Sequence, residues 1–187
     1  NRPDGSRDWG LWEAKGIGRR ILMKSQQQGA EFDPYASSYD ETIDQALSGT
    51  GVSASYFPRY RVGYIRSHLS LPDRSRVLDY GCGTGNLSAE LHAAMPGLCI
   101  DGFDPSDESI KKIPEALHKR GVFSSSISAL GSQYDCIILS MVLHHILPAE
   151  RTKTLNGLRG LLADSGYFVI FEHNPINPIA RRIVDRC

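Results

Sequence analysis

VLDYGCGTG, residues 77–85, joins a short apolar run to three glycines with the spacing Gly-x-Gly-x-Gly. The apolar run predicts a buried strand, and the glycines predict a tight turn that leads into a helix. Glycine adopts positive φ and has no Cβ to keep a ligand from the backbone, while the first N–H groups of the next helix suit a carboxylate. The stretch therefore predicts a strand, a turn and a helix that bind a small ligand at the turn.

Strand and helix patterns alternate around this turn and after it. The predicted strands are Arg76–Tyr80, Cys99–Phe103, Val122–Phe123, Tyr134–Ser140 and Tyr167–Glu172, the last preceded by a turn over Ala163–Gly166. The predicted helices are Asn86–Ala94, Asp107–Lys119, which Pro114 should kink or shorten, and Pro148–Ala163. Such alternation predicts an α/β fold, with a doubly wound, mostly parallel sheet that carries helices on both faces.

Three regions follow from these patterns. Residues 1–31 are expected to form a poorly ordered arm, residues 32–72 a helical lid, and residues 73–187 the α/β core. The lid pattern contains one amphipathic helix that ends at Gly49–Gly51 and a second from Tyr56 or Pro58 to Leu69. Asn177–Asp185 is typical of the start of a further helix.

Composition excludes several classes of protein. The 21 basic and 21 acidic residues cancel, so no electrostatic argument favours nucleic acid as the main partner. The longest apolar run, residues 136–143, is far shorter than the roughly 20 residues of a membrane span, so no membrane partner is expected. The four cysteines form no CxxC pair, which favours reduced thiols in a cytoplasmic protein and no metal site; they are Cys82, Cys99, Cys136 and Cys187.

An acid follows the second predicted strand. Asp104 ends the run Phe103-Asp104-Pro105, where a carboxylate can accept hydrogen bonds from two ribose hydroxyls at once. The alternative is that Asp104 only caps the next helix, although Ser106 or Asp107 can also do so. A nicotinamide-dependent oxidoreductase is a second alternative, but its fingerprint is GxGxxG and the chain has GxGxG.

Four ordered motifs carry a family resemblance. VLDYGCGTGNLS (77–88), IDGFDPS (100–106), YDCIILSMVLHHI (134–146) and GYFVIFEHNPINP (166–178) resemble those of the class I S-adenosylmethionine-dependent methyltransferases. The resemblance runs from about Phe32 to the end of the chain and implies a Rossmann-like fold. FDPYASSYD (32–40) and EHNPINP (172–178) are similar to a bacterial subgroup associated with saccharide or secondary-metabolite modification.

The resemblance also implies a set of residues around S-adenosyl-L-methionine. Asp79 would orient the ammonium group and Asp104 would hold the ribose. The other implied contacts are Gly81, Cys82 and Gly83 at the methionine portion, Pro105 and Ser106 beside the adenine, Ser140 and Met141 under the sulfonium, and Tyr39 as part of a lid.

The chain departs from the family pattern in two places. Many members carry an acid after the third strand, where this chain has the serine-rich segment 124–128. The family fold normally ends in two further strands, and this chain stops at Cys187 before either of them. The sequence is therefore expected to be incomplete at its C-terminus.

Histidines follow the later strands and are the candidate catalytic groups. His144 and His145 follow the fourth strand, and His173 follows the fifth strand beside Glu172. Imidazole titrates near neutral pH and is a suitable general base for a hydroxyl acceptor. The expected reaction is O-methylation of a small hydroxylated molecule such as a sugar or secondary metabolite. The alternatives are that these histidines are structural and that the domain binds without catalysis.

Overall fold

The computed structural model describes residues 55–172. Five parallel strands form one sheet in the order β3-β2-β1-β4-β5. The strands are β1 Arg76–Tyr80, β2 Cys99–Phe103, β3 Phe123–Ser124, β4 Tyr134–Ser140 and β5 Leu162–Phe171. Because β2 and β4 flank β1, the order of the strands reverses at β1. In open α/β sheets a ligand binds at such a reversal, outside the carboxyl ends of the strands.

Five α-helices lie within the described residues, the first before β1 and the other four between strands. They are α1 Tyr56–His68, α2 Asn86–Ala94, α3 Asp107–Lys112, α4 Glu115–His118 and α5 Pro148–Arg159, with single 3₁₀ turns at Ile127–Ala129 and Leu143–His145. The start of α5 has proline at its first position, where the missing N–H costs nothing. None of the helices within residues 55–172 is long and apolar enough to cross a membrane.

Alternate residues of the central strands pack into two hydrophobic cores, one on each face of the sheet. Val77 packs with α1 and α2 on one face of the sheet, while Leu78 packs with α5 on the other. Both side chains are fully buried, as expected for a strand of period two that is covered on both faces. The doubly wound arrangement predicted from the sequence is confirmed.

Two predicted element boundaries in this part of the chain were wrong. The helix predicted over Asp107–Lys119 is two helices, because Pro114 is extended at φ −55° and ψ 136° and separates α3 from α4. The third strand lies one residue later than predicted, at Phe123–Ser124. Cys99, placed in an apolar strand, is exposed at the first position of β2, whereas Cys136 is fully buried.

The last strand also begins earlier than predicted. The helix α5 ends at Arg159 instead of Ala163, and β5 starts at Leu162. Tyr134 pairs with Leu162 and Cys136 with Tyr167, so the residues predicted as a turn, Ala163–Gly166, form an irregularity inside the strand. The N-terminal arm, most of the lid and the helix at Asn177–Asp185 lie outside the described residues.

Candidate functional site

The glycine loop, residues 81–85, lies at the carboxyl end of β1 and against the end of β2. The N–H groups of Gly81 and Cys82 both donate to the carbonyl oxygen of Phe103, at 2.7 and 2.9 Å. Gly81 has φ +79°, and a Cβ there would lie 2.4 Å from Cγ2 of Val142. Only glycine satisfies both the positive φ and this close approach, which explains the residue at this position.

Space opens at the second glycine of the loop. Gly83 has φ +53°, and a Cβ built on it would meet no heavy atom within 4 Å. Its N–H donates to Oδ2 of Asp104 at 2.9 Å, while Oδ1 accepts from the N–H of Ser106 at 2.9 Å. The carboxylate that ends β2 is therefore fixed against an open side of the loop.

Asp104 is not the cap of the following helix. The hydroxyl of Ser106 accepts a hydrogen bond from the N–H of Ser109 at 3.1 Å and caps α3. Ser106 is fully buried, so its side chain serves the helix, while Pro105 is only half-buried. The carboxylate of Asp104 lies instead against the glycine loop, where it accepts the N–H group of Gly83.

Asp79 is the second carboxylate of the site. Its side chain is 1% exposed and accepts a hydrogen bond from the Ser88 hydroxyl on α2 at 2.7 Å. Burial raises the pKa of Asp79 from 3.8 to about 6, and the charge of Asp104 adds to the rise. The Ser88 hydrogen bond and the charge of Arg61 lower it again. A cationic ligand beside Asp79 would stabilise the ionised form further.

Arg61 is a residue that the sequence analysis missed. It lies on α1, and its charge acts on the pKa of Asp79 from across the core. A single basic residue in a predicted helix gives no sequence signal for such a role. The position becomes visible only when α1 packs beside α2 on the same face of the sheet.

The thiol of Cys82 is held inside the loop. It is 7% exposed, and burial raises its pKa well above the usual range, with the charges of Asp79 and Asp104 adding to the effect. A thiol with a raised pKa is a poor nucleophile. Cys82 therefore shapes the loop and does not react.

The turn after β4 brings a third group of predicted residues to the same edge of the sheet. Ser140 ends β4, and Met141 follows with φ +62° and donates its N–H to the carbonyl oxygen of Phe171 at 2.8 Å. His144 and His145 lie in the next 3₁₀ turn with ring centroids 3.9 Å apart. Residues from β1, β2 and β4 thus meet around the glycine loop.

Glu172 joins this group from the end of β5. Its carboxylate accepts from the N–H groups of Val142 and Leu143 at 3.0 and 2.7 Å and lies 2.8 Å from Nδ1 of His144. The side chains of His144 and Glu172 are 24% and 26% exposed, so both are partly shielded from water.

The serine-rich segment after β3 contacts an acid from another element. The Ser125 hydroxyl donates to Oδ1 of Asp107 at the start of α3, and the hydroxyls of Ser126 and Ser128 lie 2.8 Å apart. An acid is thus present beside this loop, although it comes from the helix after β2 and not from the loop itself.

Two predicted site residues, Tyr39 and His173, lie outside the described residues. Among residues 55–172, no group of three or more histidine, cysteine or acidic side chains is placed to hold a metal ion. An open groove of about 580 Å³ between α1 and α2 is lined by Arg59, Arg66 and Glu90 among others. It contains none of the predicted site residues, and we do not assign the ligand site to it.

The arrangement can hold a ligand that carries both a cation and hydroxyl groups. Asp79 supplies a buried negative charge, Asp104 supplies an acceptor carboxylate, and Gly83 leaves space at the backbone. These groups fit S-adenosylmethionine, whose ammonium, ribose and carboxylate need these partners.

Comparison with known proteins agrees with this site. The family model described as "Methyltransferase domain" matches residues 56–183. An uncharacterised methyltransferase from Bacillus pumilus (strain SAFR-032) is 32% identical over 146 residues, which are 74% of this chain and 63% of that protein. The chain therefore spans less than two thirds of the length of this relative.

Solved structures share the fold at low sequence identity. Magnesium protoporphyrin IX methyltransferase from Synechocystis PCC 6803 with bound SAM superposes with a TM-score of 0.56 at 19% identity, covering 90% of this chain and 88% of that one. The [4+2]-cyclase SpnF gives a TM-score of 0.62 at 18% identity, covering 79% and 60%. Two different chemistries on one fold mean that function has to be argued from the site.

The domain model covers well over half of the chain, and the parallel sheet and its glycine loop agree with it. The chain belongs to the class I S-adenosylmethionine-dependent methyltransferase family.

Proposed function

We propose that the protein binds S-adenosylmethionine at the glycine loop and transfers its methyl group to a small hydroxylated molecule. The observation that carries the proposal is the pair of carboxylates at this loop. Asp79 is buried with its pKa raised to about 6, and Asp104 is fixed 2.9 Å from the N–H of Gly83. The carboxyl end of β1, where strand order reverses, is the position at which this fold binds ligands.

Each part of the cofactor has a proposed partner in the chain, and all of these residues but Tyr39 lie within the described residues. Asp79 would bind the ammonium group, with Gly81 and Cys82 along the methionine portion. Asp104 would accept hydrogen bonds from the ribose hydroxyls, because a carboxylate accepts at both oxygens. Pro105 and Ser106 would lie beside the adenine, Ser140 and Met141 under the sulfonium, and Tyr39 over the cofactor.

The protein's own contribution to transfer is alignment of the two reactants. When bound, the cofactor supplies a methyl group that is activated by a positively charged sulfur. Holding an acceptor in line with it can lower the barrier by roughly 7–11 kcal/mol. A hydroxyl acceptor also has to lose a proton, and His144, His145 and His173 are the proposed bases.

Two comparisons support the cofactor. The Synechocystis structure contains bound SAM, and the Bacillus pumilus relative is named a methyltransferase. The acceptor is proposed from the resemblance to bacterial enzymes that modify saccharides or secondary metabolites. The balanced charge of the chain gives no reason to prefer nucleic acid.

Calorimetric titration with S-adenosylmethionine and, separately, with NAD tests the cofactor. Asp104→Asn should weaken the binding of S-adenosylmethionine by about 1.5–3 kcal/mol, because a hydrogen bond to a charged group is lost. Glu108→Gln is the matched control, since Glu108 is an exposed acid that pairs with Lys111 of its own helix, at 2.6 Å. Binding of NAD instead, or equal affinity in both variants, would overturn the assignment.

A screen for the acceptor follows once the cofactor binds. S-adenosylmethionine with a labelled methyl group is incubated with sugars, phenols and hydroxy acids, and the products are separated by chromatography. Label in a hydroxylated small molecule supports the proposed reaction. Label only in nucleic acid or protein substrates would contradict the proposed class of acceptor.

A further inference from the structure

One acidic side chain organises the whole turn after β4. Oε1 of Glu172 accepts the N–H groups of Val142 and Leu143, at 3.0 and 2.7 Å. Oε2 of the same carboxylate is 2.8 Å from Nδ1 of His144. Glu172, which follows β5, therefore fixes both the backbone and the His144 imidazole of the turn after β4.

The chemistry of this contact determines where the ring proton of His144 is. An ionised carboxylate only accepts hydrogen bonds, so Nδ1 of His144 has to be the donor. In a neutral imidazole the other nitrogen, Nε2, then carries the lone pair. Glu172 thus selects the Nδ1–H tautomer of His144.

The turn that holds His144 lies directly against the glycine loop. A Cβ on Gly81 would lie 2.4 Å from Cγ2 of Val142, so the Val142 side chain packs directly on the backbone of Gly81. Met141 is tied to the end of β5 by its N–H, which donates to Phe171 at 2.8 Å. The turn that Glu172 holds therefore contacts, through Val142, the loop that we propose for the cofactor.

We infer that Glu172 is a positioning residue for catalysis, which keeps Nε2 of His144 unprotonated and ready to take a proton from a hydroxyl acceptor. The inference rests on the proposed function and selects His144 among its three histidines. In the step, the acceptor O–H gives its proton to Nε2 while its oxygen bonds to the methyl carbon. The carbon–sulfur bond breaks, and its electron pair stays on sulfur.

The variant Glu172→Gln separates this role from a purely structural one. The glutamine oxygen can still accept from the N–H groups of Val142 and Leu143, so the turn keeps its shape. Its NH₂ group then faces Nδ1 of His144, which has to become an acceptor. The ring proton is thereby moved to Nε2, and the base is lost without loss of the fold.

Long-range proton–nitrogen correlation spectra of the histidine rings report the tautomer. The full chain is measured at pH about 8.5, where imidazole is ordinarily neutral. His144 is assigned by the signal that disappears in His144→Gln. We expect the Nδ1–H form in the parent chain, the Nε2–H form in Glu172→Gln, and no change in Glu150→Gln, an exposed acid on α5.

Calorimetry with S-adenosylmethionine separates the two proposals. Glu172→Gln should bind the cofactor as the parent chain does, while His144 changes tautomer. With an acceptor from the screen, kcat should fall about 10²-fold or more and the KM for the cofactor should stay the same. An Nε2–H tautomer in the parent chain, or an unchanged tautomer in the variant, would overturn the inference. Failure of the parent chain to bind the cofactor would overturn the proposed function instead.

Discussion

Ser88 donates its hydroxyl hydrogen to Oδ2 of Asp79 across 2.7 Å, in a place where both side chains are closed to water. The bond joins α2 to β1 behind the glycine loop. It offsets only part of the cost of burying the carboxylate, because the pKa of Asp79 is still raised to about 6. The site thus contains an acid that holds its proton more tightly than an ordinary carboxyl group, and a positive charge beside it would favour ionisation.

Asp79→Asn should stabilise the protein increasingly as pH rises. The folded pKa of about 6 is above the ordinary 3.8, so the folded state binds the proton more tightly than the unfolded state. The contribution of Asp79 to the free energy of unfolding therefore falls as pH rises from about 4 to about 6, by roughly 3 kcal/mol. Asparagine does not titrate. Between pH about 4 and 7, the free energy of unfolding of the variant should therefore increase by roughly this amount relative to that of the parent chain, as measured by urea unfolding.

Ser88→Ala is the companion variant for this measurement. It keeps the carboxylate but removes the donor that lowers its pKa. The loss of stability with rising pH should then be larger and extend to higher pH. A difference between Asp79→Asn and the parent chain that is the same at every pH would show that Asp79 has an ordinary pKa.

Much of the fold follows from local patterns in the sequence. The strands β1, β2 and β4 were predicted with their observed bounds, because each is a short run rich in apolar residues. The start of β5 was missed, since the turn-like residues Ala163–Gly166 form an irregularity that tertiary pairing with β4 holds in the strand. Local propensity carries no information about such pairing.

The candidate site was predictable only in part. The glycine loop and Asp104 belong to spacing patterns that can be read along the chain. The effect of Arg61 on Asp79 and the contact of Glu172 with His144 join elements that are distant in sequence. They depend on which helix packs beside α2 and which strand lies next to β4, and neither is encoded in a local motif.

Alanine at the first two glycines of the loop should lower the stability by unequal amounts. Gly81→Ala combines a positive φ with a contact of 2.4 Å to Val142, and should lower the free energy of unfolding by about 3 kcal/mol. Gly83→Ala has φ +53° and no neighbour within 4 Å, so it should cost only about 1 kcal/mol. Gly83→Ala should nevertheless lose cofactor affinity, because its methyl group occupies the open side of the loop. Urea unfolding measures the change in stability, and calorimetry measures the change in cofactor affinity.

A rescue experiment checks the cause of the Gly81→Ala defect. Adding Val142→Ala removes the clashing methyl groups and should restore part of the stability, but not the part due to positive φ. If the double variant is no more stable than Gly81→Ala alone, the contact between the loop and the turn is not the source of the defect.

Tyr134→Phe should lower stability without affecting the cofactor. The Tyr134 hydroxyl donates to Oδ2 of Asp101 at 2.8 Å, and its fully buried ring lies under the guanidinium of Arg76, 4.9 Å from the ring centroid. Loss of a hydrogen bond to a charged acceptor should cost about 1.5–3 kcal/mol. Tyr134 and Arg76 are the first residues of β4 and β1. They lie at the amino ends of these strands, whereas the glycine loop lies at the carboxyl end of β1. Tyr60→Phe is the control, since Tyr60 is 60% exposed, and equal losses in the two variants would contradict the assignment.

Cofactor binding should release protons near pH 6. Asp79 is about half protonated there because its pKa is raised to about 6, and an ammonium group beside it would favour the carboxylate. Calorimetry with S-adenosylmethionine in buffers of different ionisation enthalpy should show a release of up to about half a proton per cofactor at pH about 6. The release should vanish at pH about 8, where the carboxylate is already ionised, and in Asp79→Asn at either pH. Proton uptake at pH about 6, or the same release in Asp79→Asn, would place the ammonium group away from Asp79. Because an ionised carboxylate is costly to bury, the positive charge of the cofactor would add to the stabilisation that Ser88 and Arg61 already give to Asp79.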